Sequence, residues 1–333
     1  MRIAALGRTR ALIDTVRRLA AAGHDIVLIA TNRAEAEYGI DERSFEALAN
    51  EFSCEYICDS RIGSPAHLAA IDRARPDIGV SINWKTLVPP SVLAGLPMGI
   101  INAHGGDLPN HRGNAIPNWI ILQGEHKFVI CLHFMVAELD AGPVVLKRAF
   151  PLGEDTYVGD LYEIVYQHVP EMFLAAIDLL AANPSFRGAP QPDDPALASR
   201  CFSRRPEDSL IDWREPADSI CRLVRASSRP FLGAFTYYDR ARLTVWRAHK
   251  EIMPFMMIGI PGQVVEVRKS GEVAILTGSQ LLVLEEVRLQ QNAGPVRPAE
   301  ILNSTRARLG LAAGELPVAV VQGASTRPGK EPG

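Results

Sequence analysis

Cysteine is scarce: five residues, Cys54, Cys58, Cys131, Cys201 and Cys221, in 333. An odd, scattered set excludes the dense, even framework of a disulfide-stapled domain, and all five read as free thiols. No second Cys or His pair accompanies Cys54 and Cys58, so no zinc site is expected there. An excess of one charge sign is missing too. Lys and Arg total 35 against 38 Asp and Glu, a formal net charge of −3. That balance provides no general attraction to nucleic acid. Long hydrophobic runs are also lacking. The longest, residues 172–182 and 252–260, fall well short of the roughly 20 residues that cross a bilayer, so no membrane-spanning helix is expected. The opening Met1-Arg2-Ile3-Ala4-Ala5-Leu6-Gly7 has none of the regions of a signal peptide, and a cytoplasmic location is the expectation.

What is present is a chain with 47% hydrophobic and 22% charged residues, close to the globular average and long enough for about two domains. Apolar runs and helical periodicity alternate from the start. Residues 3–7, 26–30, 54–58, 78–82 and 99–103 read as strands, and 11–22, 44–52 and 65–74 as helices. This is the pattern of a doubly wound, mostly parallel, Rossmann-like α/β sheet. Its first turn, Gly7-Arg8-Thr9-Arg10, lacks the glycine triplet of a dinucleotide site, so NAD is not expected. A helix over 114–124, strands over 129–134 and 144–149, and a helical stretch over 158–182 with a break or kink at Pro170 complete this part.

Prolines 184, 190, 192 and 195 mark a loop between residues 183 and 198, where the domain boundary is expected. Beyond it come a helix over 216–226 and about five short strands between 234 and 287, the pattern of a small β-barrel. The expected organisation is a first domain over 1–190, a second over 198–310 and a disordered tail over 323–333.

The densest polar cluster follows the strand at 99–101: Asn102, His104, Gly105, Gly106, Asp107, Pro109, His111, Arg112, Gly113 and Asn114. Open parallel sheets bind ligands beyond the carboxyl ends of their strands, which is where this cluster falls. Asn102 and His104 alternate across Ala103, so both point to one side. Glu138-Leu139-Asp140-Ala141-Gly142-Pro143 is a turn between two strand patterns, and its Asp140 can reach a neighbouring strand end. An Asn amide and an imidazolium can donate to a developing oxyanion, while a carboxylate orients the imidazole and raises its pKa. That set suits acyl transfer without a covalent enzyme intermediate. His133, in an apolar strand, reads as a core residue. A metal held by His104, Asp107 and Asp140 is not expected, because no second histidine is suitably spaced.

The segments Asn102-Ala103-His104, Leu108-Pro109-Asn110-His111-Arg112-Gly113 and Leu139-Asp140-Ala141-Gly142 resemble the folate-dependent formyltransferases in order and approximate spacing. The resemblance extends to about Val287 through Arg204-Arg205-Pro206-Glu207-Asp208, Asp212-Trp213 and Gly233-Ala234-Phe235. It implies an OB-like small barrel and attack of a substrate amine on the formyl carbon of 10-formyltetrahydrofolate, with no metal. It also implies that Asn102 and His104 stabilise the oxyanion of a tetrahedral intermediate, that His104 moves protons, and that Asp140 holds His104 protonated when needed. The pterin would lie beside Trp84, Lys85, Thr86, Leu87 and Val88 and the backbone of Val136, Ala137, Glu138, Leu139 and Asp140. Arg112, Asn114 and Gly142 are the remaining implied binding residues. Arg112 reads equally as a brace for its loop and as a contact to phosphate. Gly106 stands where relatives commonly have Ser.

Members acting on initiator tRNA carry a basic insertion after the second strand, whereas residues 32–42 here are acidic. The resemblance therefore points to a nucleotide-linked amino sugar for surface glycans as the acceptor, without nucleic acid or membrane partners and with a homodimer as one assembly. Hydroxyornithine for siderophore synthesis and methionyl-tRNA are the alternative acceptors.

Overall fold

The computed structural model describes residues 1–35 and 38–310. The tail expected over 323–333 lies outside them. Five parallel strands appear first: β1 (Arg2–Gly7), β2 (Asp25–Thr31), β3 (Glu55–Cys58), β4 (Ile78–Ile82) and β5 (Ile100–His104). Between them run α1 (Arg10–Ala21), α2 (Glu42–Phe52), α3 (Pro65–Ala74) and the short α4 (Pro90–Leu93). Each longer helix has a local cause. The buried residues of α1, Ala11, Leu12, Thr15, Val16 and Leu19, recur at helical spacing and form one apolar face. Asp41 caps α2 by accepting from the amides of Arg43 and Ser44, and Ser64 with His67 forms a capping box at α3.

After β5 come β6 (Arg112–Gly113), α5 (Ile116–Gln123), β7 (Lys127–Phe134), β8 (Val144–Pro151), α6 (Val158–Ala182) and β9 (Arg200–Cys201). The main sheet has the order β3-β2-β1-β4-β5-β7-β8. Its β7 runs antiparallel to both β5 and β8. Helix α6 is unbroken through Pro170, so of the expected break or kink the break is excluded, and the helix buries nine side chains including Pro170 itself. Packing of that face overrides the local cost of the proline. By length and composition α6 is long and apolar enough to cross a membrane, and nine of its side chains are buried in the core.

Two compact units divide the chain. Among the described residues, the first is Met1–Arg205 with Arg229–Phe231, and the second is Pro206–Ser228 with residues 232–310. The proline-rich stretch before Arg205 is hydrogen-bonded into the first unit. Val144 and Ala189 exchange backbone bonds at 2.7 and 2.8 Å, and β9 pairs in parallel with β6.

The second unit contains α7 (Ala217–Ser227) and the strands β10 (Ala234–Tyr238), β11 (Ala241–Glu251), β12 (Val264–Val267), β13 (Val273–Leu276) and β14 (Leu281–Leu289). These match the five expected strands and form an antiparallel sheet in the order β10-β11-β14-β13-β12. Its core gathers Trp213, Ile220, Val224, Leu243, Val245, Ile275, Leu284 and Leu302. The Trp213 indole N–H donates to Thr236 Oγ1 at 2.9 Å, which satisfies a polar atom inside that core.

Candidate active site

The site is assembled at the end of β5. Asn102 pairs in register with Ser81 on β4 and with His133 on β7, so these three side chains share one face of the sheet. His104, two residues on, takes the same face. The loop from Met135 to Pro143 then carries Asp140 toward them. Two backbone features shape that loop. Asp140 itself is left-handed, with φ of 50°, and a Cβ at Gly142 would overlap the carbonyl oxygen of Phe134.

Asp140 lies between two imidazoles. Its Oδ2 is 3.6 Å from His104 Nδ1 and accepts the Gly113 amide at 2.8 Å, while Oδ1 is 3.5 Å from His133 Nε2. The side chains of His104, Asp140 and His133 are only 6, 10 and 2% exposed. Burial pushes the Asp140 carboxyl up, but the imidazoles and the Gly113 amide outweigh it and hold the group below the ordinary carboxylate range.

The hydrogen-bond partners assign the protons on each ring. His104 Nε2 is 2.7 Å from the carbonyl oxygen of His111. A carbonyl only accepts, so Nε2 carries the hydrogen and Nδ1 is the nitrogen able to take another. His111 presents that carbonyl from a left-handed backbone, φ 61°. His133 Nδ1 donates to Phe134 O at 3.0 Å, and its Nε2 lies 3.3 Å from Asn102 Nδ2 and 3.5 Å from Asp140 Oδ1.

The structure therefore brings Asn102, His104 and Asp140 together and adds His133, which the sequence reading placed in the core. His133 is indeed buried, but it contacts both Asn102 and Asp140. Asp140 pulls the His104 pKa up, as the sequence reading expected, but burial of the ring is the larger effect and lowers it on balance. His104 thus rests as the neutral imidazole at neutral pH.

The other expected binding residues divide into three groups. Trp84 is half-buried against the apolar cluster of Val88 and Ile100, with its Nε1 buried and lacking a hydrogen-bond partner. Lys85 Nζ lies 3.1 Å from Glu35, which also accepts from Arg8 at 2.9 Å. Thr86 donates to the Ser60 carbonyl, Leu87 is exposed and Val88 is buried. Val136, Ala137 and Glu138 are exposed and Leu139 half-buried on the Asp140 loop. The Arg112 guanidinium donates twice to Gln191 Oε1, at 2.7 and 3.2 Å, and the backbone amide of the exposed Asn114 donates to Cys201 O. Gln191 was not singled out from the sequence, since nothing in a proline-rich loop marks it. Among the described residues no group of three or more His, Cys, Asp or Glu could hold a metal.

Comparison with known proteins accords with this geometry. HypX from Aquifex aeolicus in complex with tetrahydrofolic acid aligns over 92% of this chain and 47% of its own, at 20% identity and TM-score 0.59. This chain thus spans about half of HypX. The N-formyltransferase from Helicobacter canadensis, in complex with folinic acid and dTDP-3-aminofucose, aligns over 85% of this chain and 97% of its own, at 13% identity and TM-score 0.59. Methionyl-tRNA formyltransferase from Clostridium thermocellum aligns over 75% and 94%, at 16% identity and TM-score 0.50. These likenesses concern the fold. The sequence itself matches the family profile described as Formyl transferase over residues 1–177, and the one described as Formyl transferase, C-terminal domain, over 204–306. Covering more than half of the chain at the end that holds Asn102, His104 and Asp140, the first of these matches makes the protein a member of the formyl transferase family.

Proposed function

We propose that this chain transfers a formyl group from 10-formyltetrahydrofolate to the amine of a nucleotide-linked amino sugar. The observation that carries the reading is the convergence of Asn102, His104 and Asp140, with His133 behind them, in one buried cluster at a strand end. Bound, the folate supplies the formyl carbon as an activated acyl donor. The residues around Asn102 fit such a group: Ser81 Oγ and Trp84 Nε1 are buried without protein partners, beside apolar Val88. Trp84, Val88 and the open backbone of residues 136–139 would hold it.

The chain's own groups divide the chemistry. Asn102 Nδ2 has a hydrogen to offer to the formyl oxygen as that atom gains charge. Preorganised donors of this kind contribute a factor of about 10²–10³ each in rate. His104 Nδ1, bare in the resting state, would take the proton that the attacking amine loses as the new C–N bond forms and return it to the donor nitrogen as the formyl–N10 bond breaks, so that tetrahydrofolate leaves neutral at that atom. Asp140, 3.6 Å away, stabilises the imidazolium so formed. A base that is neutral at rest and becomes charged beside a standing carboxylate only during the reaction favours the transition state over the ground state.

The sugar-nucleotide acceptor is supported by features at the ends of β1, β2 and β4. Thr9 Oγ1 and both polar atoms of Asn32 are buried without partners, and the cations of Arg8 and Lys85 converge on Glu35 at the same end. Arg8 and Lys85 are thereby two cations that a diphosphate could draw away from Glu35. The test is tetrahydrofolate release from 10-formyltetrahydrofolate with a panel of nucleotide-linked amino sugars, hydroxyornithine and initiator methionyl-tRNA. Turnover with a sugar nucleotide is expected. Turnover only with hydroxyornithine or tRNA would replace the acceptor, and none with any acceptor would overturn the reading.

A further inference from the structure

The loop that delivers Asp140 is fastened from a distance of some fifty residues in sequence. Gln191 Nε2 donates to the carbonyl oxygens of Asp140, at 2.7 Å, and Gly142, at 2.8 Å. Its Oε1 accepts both bonds from Arg112. The amide has two hydrogens and two lone pairs, and all four are used. Its orientation is unambiguous, because carbonyls only accept and a guanidinium only donates. Gln191 thus joins the two loops that frame the site, one carrying Asp140 and the other carrying Arg112, Gly113 and the His111 carbonyl.

Its own position is set in advance. Pro190 and Pro192 flank it, and a residue before proline is restricted to extended backbone. Ala189, two residues earlier, is paired with Val144 at the far end of the Asp140 loop. Beyond it, Ser199 accepts the Arg112 amide through its carbonyl oxygen at 2.9 Å and the His111 amide through Oγ at 2.8 Å. Residues 189–201 therefore form a strap across both loops, with Gln191 as its one side-chain tie to the Asp140 backbone among the described hydrogen bonds.

We propose that Gln191 is a positioning residue for catalysis, one that fixes the separation of Asp140 from His104 by holding the Asp140 loop against Arg112. This rests on the functional reading above, because it assumes that the Asp140–His104 relationship matters for turnover. A methionine at 191 preserves length without hydrogen bonds. A glutamate preserves the Arg112 pair but turns an acceptor toward two carbonyls.

The experiment compares Gln191→Met, Gln191→Glu and the unaltered chain by steady-state kinetics. It also follows the His104 imidazole resonance against pH, assigned by its loss in His104→Ala. Misplacement by about 1 Å can cost as much as 10²-fold, so kcat should fall about 10- to 100-fold in both variants, with the donor KM within about twofold. In Gln191→Met the His104 midpoint should move to lower pH as Asp140 withdraws. Unchanged kcat and an unchanged midpoint in folded variants would overturn the assignment. If the unaltered chain transfers formyl to no acceptor but the midpoint still moves, the functional reading fails and the positioning role stands. Should both variants fail to fold, Arg112→Met, which frees Gln191 Oε1, is expected to lower kcat severalfold, and an unchanged kcat there would equally overturn it.

Discussion

Asn102 and His133 face each other across the antiparallel pairing of β5 with β7, with 3.3 Å between Nδ2 and Nε2. Because His133 Nδ1 is committed to the Phe134 carbonyl, Nε2 is the ring nitrogen that meets Asn102, and it lies 3.5 Å from Asp140 Oδ1 as well.

Replacing His133 should therefore impair catalysis without touching substrate. In His133→Leu the amide can rotate, and kcat is expected to drop at least about tenfold, with the donor KM little changed. Steady-state kinetics on the folded variant decide this, and an unaltered kcat would reduce His133 to packing.

His104→Ala removes the base and its ring hydrogen bonds together. A loss of at least about 10² in kcat is expected, with folate binding, measured by fluorescence titration, nearly intact. Retained activity would remove His104 from the chemistry.

The pH profile should carry the signature of burial. Desolvation holds the His104 pKa below its ordinary value of 6.5, and Asp140 pulls upward against it. If the neutral ring is the base, activity is lost as pH falls through that lowered value, so the acidic limb lies below pH 6.5. Asp140→Asn removes the upward pull, and the limb should move to still lower pH, as rate profiles from pH 4 to 8 would show. Stability follows the carboxylate. A depressed folded-state pKa stabilises above the unfolded value of about 3.9 and is lost as pH falls through the folded one. Urea midpoints of the parent should therefore fall more steeply than those of Asp140→Asn at the acid end.

Gly142 permits the loop's path, since any Cβ there overlaps the Phe134 carbonyl. Gly142→Ala should cost at least about 2 kcal/mol in chemical denaturation. Gly294→Ala is the control, because a methyl group there would meet no atom within 4 Å, and its stability should stay within about 0.5 kcal/mol of the parent.

Much of this was legible in the sequence for local reasons. The strands of both units follow apolar runs bounded by turn residues, and Asn102 and His104 declare a common face by simple alternation. Asp140 stands out as the acid of a short turn between strand patterns. What escaped depends on distant packing. That His133 meets Asn102 requires knowing that β7 is antiparallel to β5 and in which register, and a strand's direction leaves no mark in its own residues. Gln191 is polar in a polar loop, and only the fold brings it to carbonyls some fifty positions away. The resting state of His104 is a contest between burial and a neighbouring charge, and the sequence displays the charge but not the depth. At Pro170 local propensity favoured interruption, while the buried face of α6 favoured continuity and prevailed.

The pairing of β9 with β6 bears on how such proteins can be cut and recombined. The segment leading out of the first unit also closes that unit's site, so a fragment ending at Pro190 would lose Gln191, the Ser199 contacts and β9 at a stroke. The smallest portable catalytic module runs at least to Phe202, whose carbonyl receives the Trp119 indole N–H. Exchange of downstream units among relatives has a natural seam just beyond that residue, and a graft made within the proline-rich stretch would pair one parent's loops with the other parent's strap.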